Sequence, residues 1–366
     1  MSREHPGILL AGGGTGGHLF PALAIADEIR KLNPEADILF VGTKGKIEAR
    51  VVPARGYAFR TIWISGFHRT LRLSNLLFPL KIAVALVQSF ILVRKFRPDV
   101  VVGTGGYVCG PVLYAASVLR IPTVVHESNS YPGVTTRALA KRATKVFTAF
   151  ETTSKWLTGI AGIEVIGTPT RDGLEKISRE EAIAFFGLAA KQKTVLVFGG
   201  SLGASSINDA ILGVVDELMS KRIQLIWQTG EQEFERIKKG LGSKLVGWVG
   251  PFIEKMECAY AAADLVVCRA GAVTLAELTR LGKPVILVPY PHAAADHQRY
   301  NAKSLEDVGA ARMISDEEVA ERIGPALVEL IDDETKRNRM SAASRRLGKP
   351  EAGRNIAQKI LTLVHE

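Results

Sequence analysis

Two doubly wound α/β domains, each with a parallel sheet covered on both faces by helices, are the architecture this sequence predicts. Three observations carry that expectation. Short apolar runs bounded by Gly, Pro or Asp alternate with helical patterns along the chain, as buried parallel strands joined by helical crossovers do. A chain of 366 residues is too long for one ordinary core and suits two. The first half also echoes in the second, in the same order. VVVGTGG after Asp99 resembles LVVCRAGA after Asp264, TVVHE after Pro122 resembles VILVP after Pro284, and the glycine loop at 12–18 has a counterpart in GGSLGA at 199–204.

The strands expected from these runs are ILLA after Gly7, ILFV after Asp37, VVVG after Asp99 and TVVH after Pro122. In the second half they are VLVF after Thr194, LIWQ after Gln224, LVVC after Asp264 and VILV after Pro284. The first glycine loop opens a helix with apolar positions Leu23, Ile25, Ala26 and Ile29. The turn at Ala270-Gly271 opens another, with Val273, Ala276, Leu278 and Leu281 expected to face inward and Gly282 and Pro284 to stop it. Turn chemistry in IGTPTRDG (166–173) places the hinge. Residues 1–165 form the first domain, 166–348 the second, and 349–366 a C-terminal helix, patterned by Ile356, Ile360 and Leu363, that returns to the first.

Composition narrows the class. With 47% hydrophobic and 23% charged residues, the chain has the usage of globular proteins, which excludes disordered, collagen-like and coiled-coil readings. The formal charge is +10, a balance that points to an anionic partner. That surplus sits in the first half: 20 Lys/Arg against 10 Asp/Glu through Glu164, and 27 of each from Ile166 onward. Nucleic acid is not the expected partner, because the basic region lacks interleaved aromatics and any recognisable module. Cys109, Cys258 and Cys268 make neither a disulfide framework nor a CxxC knuckle, so a reducing compartment is expected. The apolar run at 8–11 is too short for a signal peptide. The stretch from Leu76 to Val93, broken by Pro79, Lys81, Gln88 and Ser89, falls short of a membrane span.

Chemistry concentrates in the glycine loops. GGGTGGH at 12–18 follows a strand and opens a helix, where glycines bring amide N–H groups and a helix N-terminus close to an anion. Gly12, Gly14 and Gly17 satisfy GxGxxG, but the acid expected at the end of the second strand is missing, since that end reads Val41-Gly42-Thr43. GxxxxGK[ST] is absent as well. His18 closes the loop; it could act as a general base, hold a phosphate oxygen, or simply bond a neighbour at the helix start. GTGGYVCGP at 103–111 and HESN at 126–129 follow two further strands, and Glu127 is either a base or an ion-pair partner. In the second half, the helix after Gly271 offers its N-terminus to an anion. Glu277 one turn in can accept from two vicinal ribose hydroxyls or face solvent. No metal site is expected: His292 and His297 fall on different helix faces, and no Asp-x-Asp is present.

Together GGGTGGH at 12–18, GGYVCGP at 105–111, HESN at 126–129, GTPTR at 167–171, GGSLGA at 199–204, CRAGAVTLAE at 268–277 and DHQRYNA at 296–302 resemble the MurG family, bacterial transferases that add N-acetylglucosamine (GlcNAc) to undecaprenyl-diphosphate-MurNAc-pentapeptide, converting lipid I to lipid II. The resemblance implies the GT-B fold, two Rossmann-like doubly wound parallel-sheet domains facing across a cleft, and an inverting reaction needing no metal and no cofactor. It places the donor UDP-GlcNAc mainly on the second domain. There Arg171 and Ser201 match residues near the diphosphate, Ile253 one that meets the uracil, Ala272, Val273, Thr274, Leu275, Ala276 and Glu277 the helix over the diphosphate and ribose, and Gln298 one that contacts sugar hydroxyls. From the first domain Thr15, Gly16, Gly17 and Asn129 would reach the donor sugar. Gly13, Gly14, Gly105, Gly106 and Tyr107 would form the acceptor diphosphate loops. The sequence departs from the pattern at Ser128, where the family often has Gln, and after Tyr290.

Two roles follow as expectations. His18 is the first choice for proton acceptor and Glu127 the second. A lipid-anchored acceptor requires contact with a membrane, as a peripheral protein on the cytoplasmic face of the bacterial inner membrane. The apolar cluster Leu71, Leu73, Leu76, Leu77, Phe78 and Leu80 beside Arg69, Arg72 and Lys81 has the composition of an interfacial segment, whereas the apolar residues after Ile82 are expected to belong to a buried helix. The alternatives are a glycolipid synthase acting on diacylglycerol, a UDP-GlcNAc 2-epimerase, and a protein that only binds.

Overall fold

The computed structural model describes residues 5–66, 78–200, 203–244 and 246–364. The chain forms two compact units, one of residues 1–170 with 349–366 and one of residues 171–348.

The first unit runs β1 (Gly7–Ala11), α1 (Gly16–Leu32), β2 (Asp37–Gly42), α2 (Ile47–Ala54), β3 (Ala58–Thr61), α3 (Phe78–Phe96), β4 (Val100–Gly103), α4 (Cys109–Val118), β5 (Thr123–Glu127), α5 (Val134–Ala140), β6 (Lys145–Thr148) and β7 (Ile163–Val165). Its sheet has the order β3-β2-β1-β4-β5-β6-β7, with every pairing parallel. All five residues of β1 and of β5 and all four of β4 are buried, as strands covered on both faces must be.

The second unit runs α6 (Arg179–Phe186), β8 (Lys193–Phe198), α7 (Ser205–Ser220), β9 (Ile223–Gln228), α8 (Phe234–Leu241), β10 (Gly247–Gly250), α9 (Met256–Ala262), β11 (Leu265–Cys268), α10 (Ala272–Leu281), β12 (Val285–Leu287), α11 (His297–Glu306), β13 (Arg312–Met313), α12 (Val319–Asp332) and α13 (Glu334–Leu347). Its parallel sheet has the order β10-β9-β8-β11-β12-β13. Counted from the first strand of each unit, both sheets begin 3-2-1-4-5-6, the doubly wound nucleotide-binding order. The strands that echo in sequence, β1 with β8, β4 with β11 and β5 with β12, therefore occupy equivalent places.

The last helix, α14 (Ala352–Val364), belongs to the first unit. Its Ile356, Ala357, Ile360 and Leu363 share a core with Leu19, Leu23, Ala26 and Ile29 of α1. The segment after β7 also stays with this unit, because the Ile166 and Gly167 N–H groups both donate to the Thr148 carbonyl. The switch to the second unit falls at Thr170–Arg171, a few residues beyond the 165/166 division read from turn chemistry.

The inward face of α10 differs from the reading of its pattern. Leu275, Glu277, Leu278 and Thr279 are buried, whereas Val273, Ala276 and Leu281 are half-buried. Helical periodicity fixes the spacing of a stripe, but here a buried carboxylate held by Tyr260 and Arg171 takes one of its places.

Candidate active site

In open α/β sheets ligands bind beyond the carboxyl ends of the strands, where the strand order reverses. That point lies between β1 and β4 in the first unit and between β8 and β11 in the second. The four loops leaving these strands are the glycine loops at 12–18, 104–108, 199–204 and 269–271.

In the first unit, two of these loops interlock. The Thr104 N–H donates to the Ala11 carbonyl at 3.0 Å, and the Thr104 hydroxyl to the His18 carbonyl at 2.7 Å. Gly105 and Gly106 have φ of +110° and +84°; a Cβ at Gly105 would lie 2.5 Å from His18 Cδ2, and one at Gly106 2.5 Å from the Gly13 carbonyl oxygen. Only glycine permits that backbone with the imidazole laid against it. Sequence-distant Gly13, His18, Gly105 and Gly106 thus meet in one place, and Tyr107 sits against Gly14. Thr15 precedes α1, whose first turn begins with Gly16 and Gly17. Its Oγ1 lies 3.2 Å from His18 Nδ1.

Sequence reasoning missed Glu48. Its carboxylate, fully buried, accepts from the Gly14 N–H at 3.0 Å, the Thr43 N–H at 3.1 Å and the Thr43 hydroxyl at 2.8 Å. The acid absent from the end of β2 is thus supplied from the start of α2, yet it binds the glycine loop itself. Gly14 can therefore shape an anion site with its backbone, but that N–H is already used. An acid in the first turn of the helix after the second strand was the available signal.

Glu127, at the end of β5, is 5% exposed. Its Oε1 accepts from the Asn129 N–H and Nδ2, and its Oε2 from the Gly133 N–H, each at 3.0 Å. These donors make Glu127 the anchor of the 129–133 loop, which carries Asn129. Next to it, His126 is fully buried, with Nε2 2.8 Å from the Gly167 carbonyl. Burial pulls its pKa below the usual 6.5, so the folded state holds a neutral ring where the unfolded chain takes a proton. This contribution to stability is complete above pH 6.5 and is lost as pH falls below it, at up to about 1.4 kcal/mol per pH unit. Urea midpoints measured from pH 7 to 5 should show a His126→Asn variant losing that component of the slope; parallel curves would contradict it.

In the second unit, Arg171 and Glu277 come together. Arg171 Nε donates to Glu277 Oε1 at 2.7 Å, and the Tyr260 hydroxyl to Glu277 Oε2 at 2.9 Å. Glu277 is neither solvated nor unpartnered. Burial, then the Glu277 charge, pushes the Tyr260 phenol well above its usual pKa, so it is a donor at all ordinary pH. Gly271 caps α10, whose first turn carries no acid that would oppose an anion. Gln298 Oε1 accepts from the Ala270 N–H at 3.1 Å and the Tyr290 N–H at 3.0 Å. This fixes the amide with Oε1 on those two N–H groups, so that Nε2 is the atom on its other side. Ile253 is 2% exposed and its N–H is held by Gln228 Oε1 at 2.8 Å, so that N–H is already used. Ser201 lies outside the described residues. Arg269, also missed, ties the β11 and β12 ends together: it donates to the Val288 and Pro289 carbonyls, the Ser206 hydroxyl and Asp316.

Comparison with known proteins gives a consistent picture. Residues 8–148 match the glycosyltransferase family 28 N-terminal domain and residues 194–359 the glycosyltransferase family 28 C-terminal domain. A protein of Chlorobaculum tepidum named UDP-N-acetylglucosamine--N-acetylmuramyl-(pentapeptide) pyrophosphoryl-undecaprenol N-acetylglucosamine transferase is 45% identical, over 97% of this chain and 99% of its own. One of the same name from Salinibacter ruber is 43% identical over 99% and 98%. Among solved structures, Acinetobacter baumannii MurG superposes with a TM-score of 0.79 at 28% identity, covering 98% of this chain and 99% of that one.

Proposed function

Because the chain belongs to glycosyltransferase family 28, we propose that it transfers GlcNAc from UDP-GlcNAc to the C4 hydroxyl of MurNAc in undecaprenyl-diphosphate-MurNAc-pentapeptide, the lipid I to lipid II step of peptidoglycan synthesis. The observation that carries this reading is the 45% identity, along nearly the whole of both chains, with a transferase named for that reaction. A diacylglycerol glycolipid synthase or a 2-epimerase would share the fold but not that relationship. UDP release measured with and without lipid I tests the reading. Release only with lipid I is expected; UDP and free ManNAc formed without acceptor would overturn it.

In this reading the second unit holds the donor. The start of α10, from Ala272 to Glu277, faces the diphosphate and ribose, where the backbone N–H groups of its first turn and the positive end of the helix dipole favour negative charge. Arg171 adds a cation beside it, Gln298 offers Nε2 to sugar hydroxyls, and Ile253 meets the uracil. Ser201 belongs to the same set by position in the GGSLGA loop. Thr15, Gly16, Gly17 and Asn129 serve the donor sugar, and the Gly13–Gly14 and Gly105–Tyr107 backbone shapes the acceptor diphosphate site. The acceptor C4 hydroxyl attacks C1 of GlcNAc, the α-linkage inverts to β-1,4, UDP leaves with the bonding electrons, and the hydroxyl proton passes to the His18 imidazole. Glu127 is the second candidate, but protonating it would disrupt the three hydrogen bonds that anchor its loop.

Membrane contact is proposed at α3. One face of this helix, Ala85, Ser89 and Val93, is buried, and Ala85 and Val93 lie in the same core as Val112, Leu113 and Ala116 of α4. Its other side carries Leu80, Val87 and Ile91, which are 52%, 59% and 61% exposed. The apolar residues after Ile82 therefore do not all belong to a buried helix, because only one face of α3 packs. Phe78 is half-buried, Lys81, Arg94 and Lys95 flank the stripe, and the neighbouring α4 exposes Tyr114 and Val118. Leu71, Leu73, Leu76, Leu77, Arg69 and Arg72 lie outside the described residues. Such a stripe with cations at its border suits an anionic interface, each cation adding roughly 1 kcal/mol. No helix among the described residues is long and apolar enough to cross a membrane. Val87→Glu with Ile91→Glu should cut flotation with anionic vesicles at least fivefold; unchanged recovery would remove α3 from the interface.

A further inference from the structure

Tyr260 takes no part in the proposed transfer, yet its hydroxyl touches a residue assigned to the donor. Tyr260 is 1% exposed and sits on α9, its ring edge-on to Phe198 at the end of β8, with centroids 6.2 Å apart and planes at 69°. A ring in that place needs only to fill volume. A buried hydroxyl must also find a partner, and this one donates to Glu277 Oε2 at 2.9 Å.

Glu277 is thereby gripped at both oxygens, Oε1 by Arg171 and Oε2 by Tyr260. A carboxylate rotates freely about its last bond unless both oxygens are held, and each oxygen can accept a second hydrogen bond. Two donors on opposite oxygens fix the plane and leave one acceptor direction on each. Two such acceptors side by side match the vicinal hydroxyls of a ribose. Arg171 alone could not do this, because its side chain is half exposed and can follow the carboxylate as it turns. The phenol is embedded and cannot.

We propose that Tyr260 is a positioning residue that sets the Glu277 carboxylate to read both ribose hydroxyls at once, and so makes the donor site select ribonucleotides over 2′-deoxyribonucleotides. This rests on the reading that Glu277 meets the ribose. Hydrogen bonds to a charged acceptor are worth enough for at least tenfold discrimination. A core role alone would predict a general loss of binding or stability with no change in that preference.

The test measures dissociation constants for UDP and 2′-deoxy-UDP by calorimetry on the full-length protein, for the wild type, Tyr260→Phe and Tyr260→Met, with thermal melting in parallel. Phe keeps the ring without the donor, and Met keeps apolar volume in the event that Phe does not fold. The expected result is a wild-type preference for UDP of at least tenfold that shrinks at least threefold in either folded variant. UDP, which makes both contacts, should weaken more than 2′-deoxy-UDP, which keeps only the 3′ contact. A preference equal to the wild type, or equal weakening of both nucleotides, would overturn the positioning role alone. A wild type that binds both nucleotides equally would overturn the ribose reading of Glu277 and this proposal with it.

Discussion

Replacing His18 by alanine is expected to lower kcat by about 10²–10⁴-fold, the usual contribution of a positioned general base, while the dissociation constant for UDP-GlcNAc changes less than about threefold. The expectation follows from what surrounds the ring. It lies against backbone at Gly105 and Gly106 that tolerates no side chain, so its orientation is set by the fold. Thr15 Oγ1, 3.2 Å from Nδ1, can hold one tautomer of the neutral ring that a base requires. Gln in place of His18 would keep a polar side chain without a titrating nitrogen, and should be impaired to a similar degree. Turnover at the wild-type rate in either variant would transfer the base role away from His18, with Glu127→Gln as the next variant to measure.

Replacing Glu277 by alanine is expected to act on binding. The dissociation constant for UDP-GlcNAc should rise about 10- to 100-fold, the magnitude of losing hydrogen bonds to a charged acceptor, with kcat at saturating donor changed far less. Some stability should be lost too, since the embedded Tyr260 hydroxyl would be left without its acceptor, at about 1–3 kcal/mol. Arg171, half exposed, can turn to solvent and adds little to that cost. Glu277→Gln separates the two effects, since it restores an acceptor to Tyr260 but not the charge. Calorimetry with UDP-GlcNAc checks the first effect and a urea titration the second. An unchanged dissociation constant would remove Glu277 from the donor site.

Those two residues also show how far the sequence could be read. The eight strands expected from apolar runs are all present, because in a parallel sheet covered on both faces the strand itself must be apolar throughout. The strands not expected, β3, β6, β7, β10 and β13, are two to four residues long and read AFRT, KVFT, IEV, GWVG and RM. Their positions are set by pairing with a neighbour rather than by a pattern of their own. His18 and Glu277 were legible as residue types at strand ends and helix starts. What surrounds them was not, because each depends on contacts far apart in the chain: His18 with Gly105, Gly14 with Glu48, Glu277 with Arg171 and Tyr260. The basic excess of the first half was visible at once, whereas the apolar stripe of α3 required knowing which face α4 covers.

The measurement that bears most directly on the central claim is the fate of labelled GlcNAc when the protein is offered UDP-GlcNAc with lipid I and diacylglycerol in the same vesicles. The account predicts label in the undecaprenyl-diphosphate product alone, joined to MurNAc C4 by a β linkage. Label in a diacylglycerol product, or an α linkage to MurNAc, would contradict it.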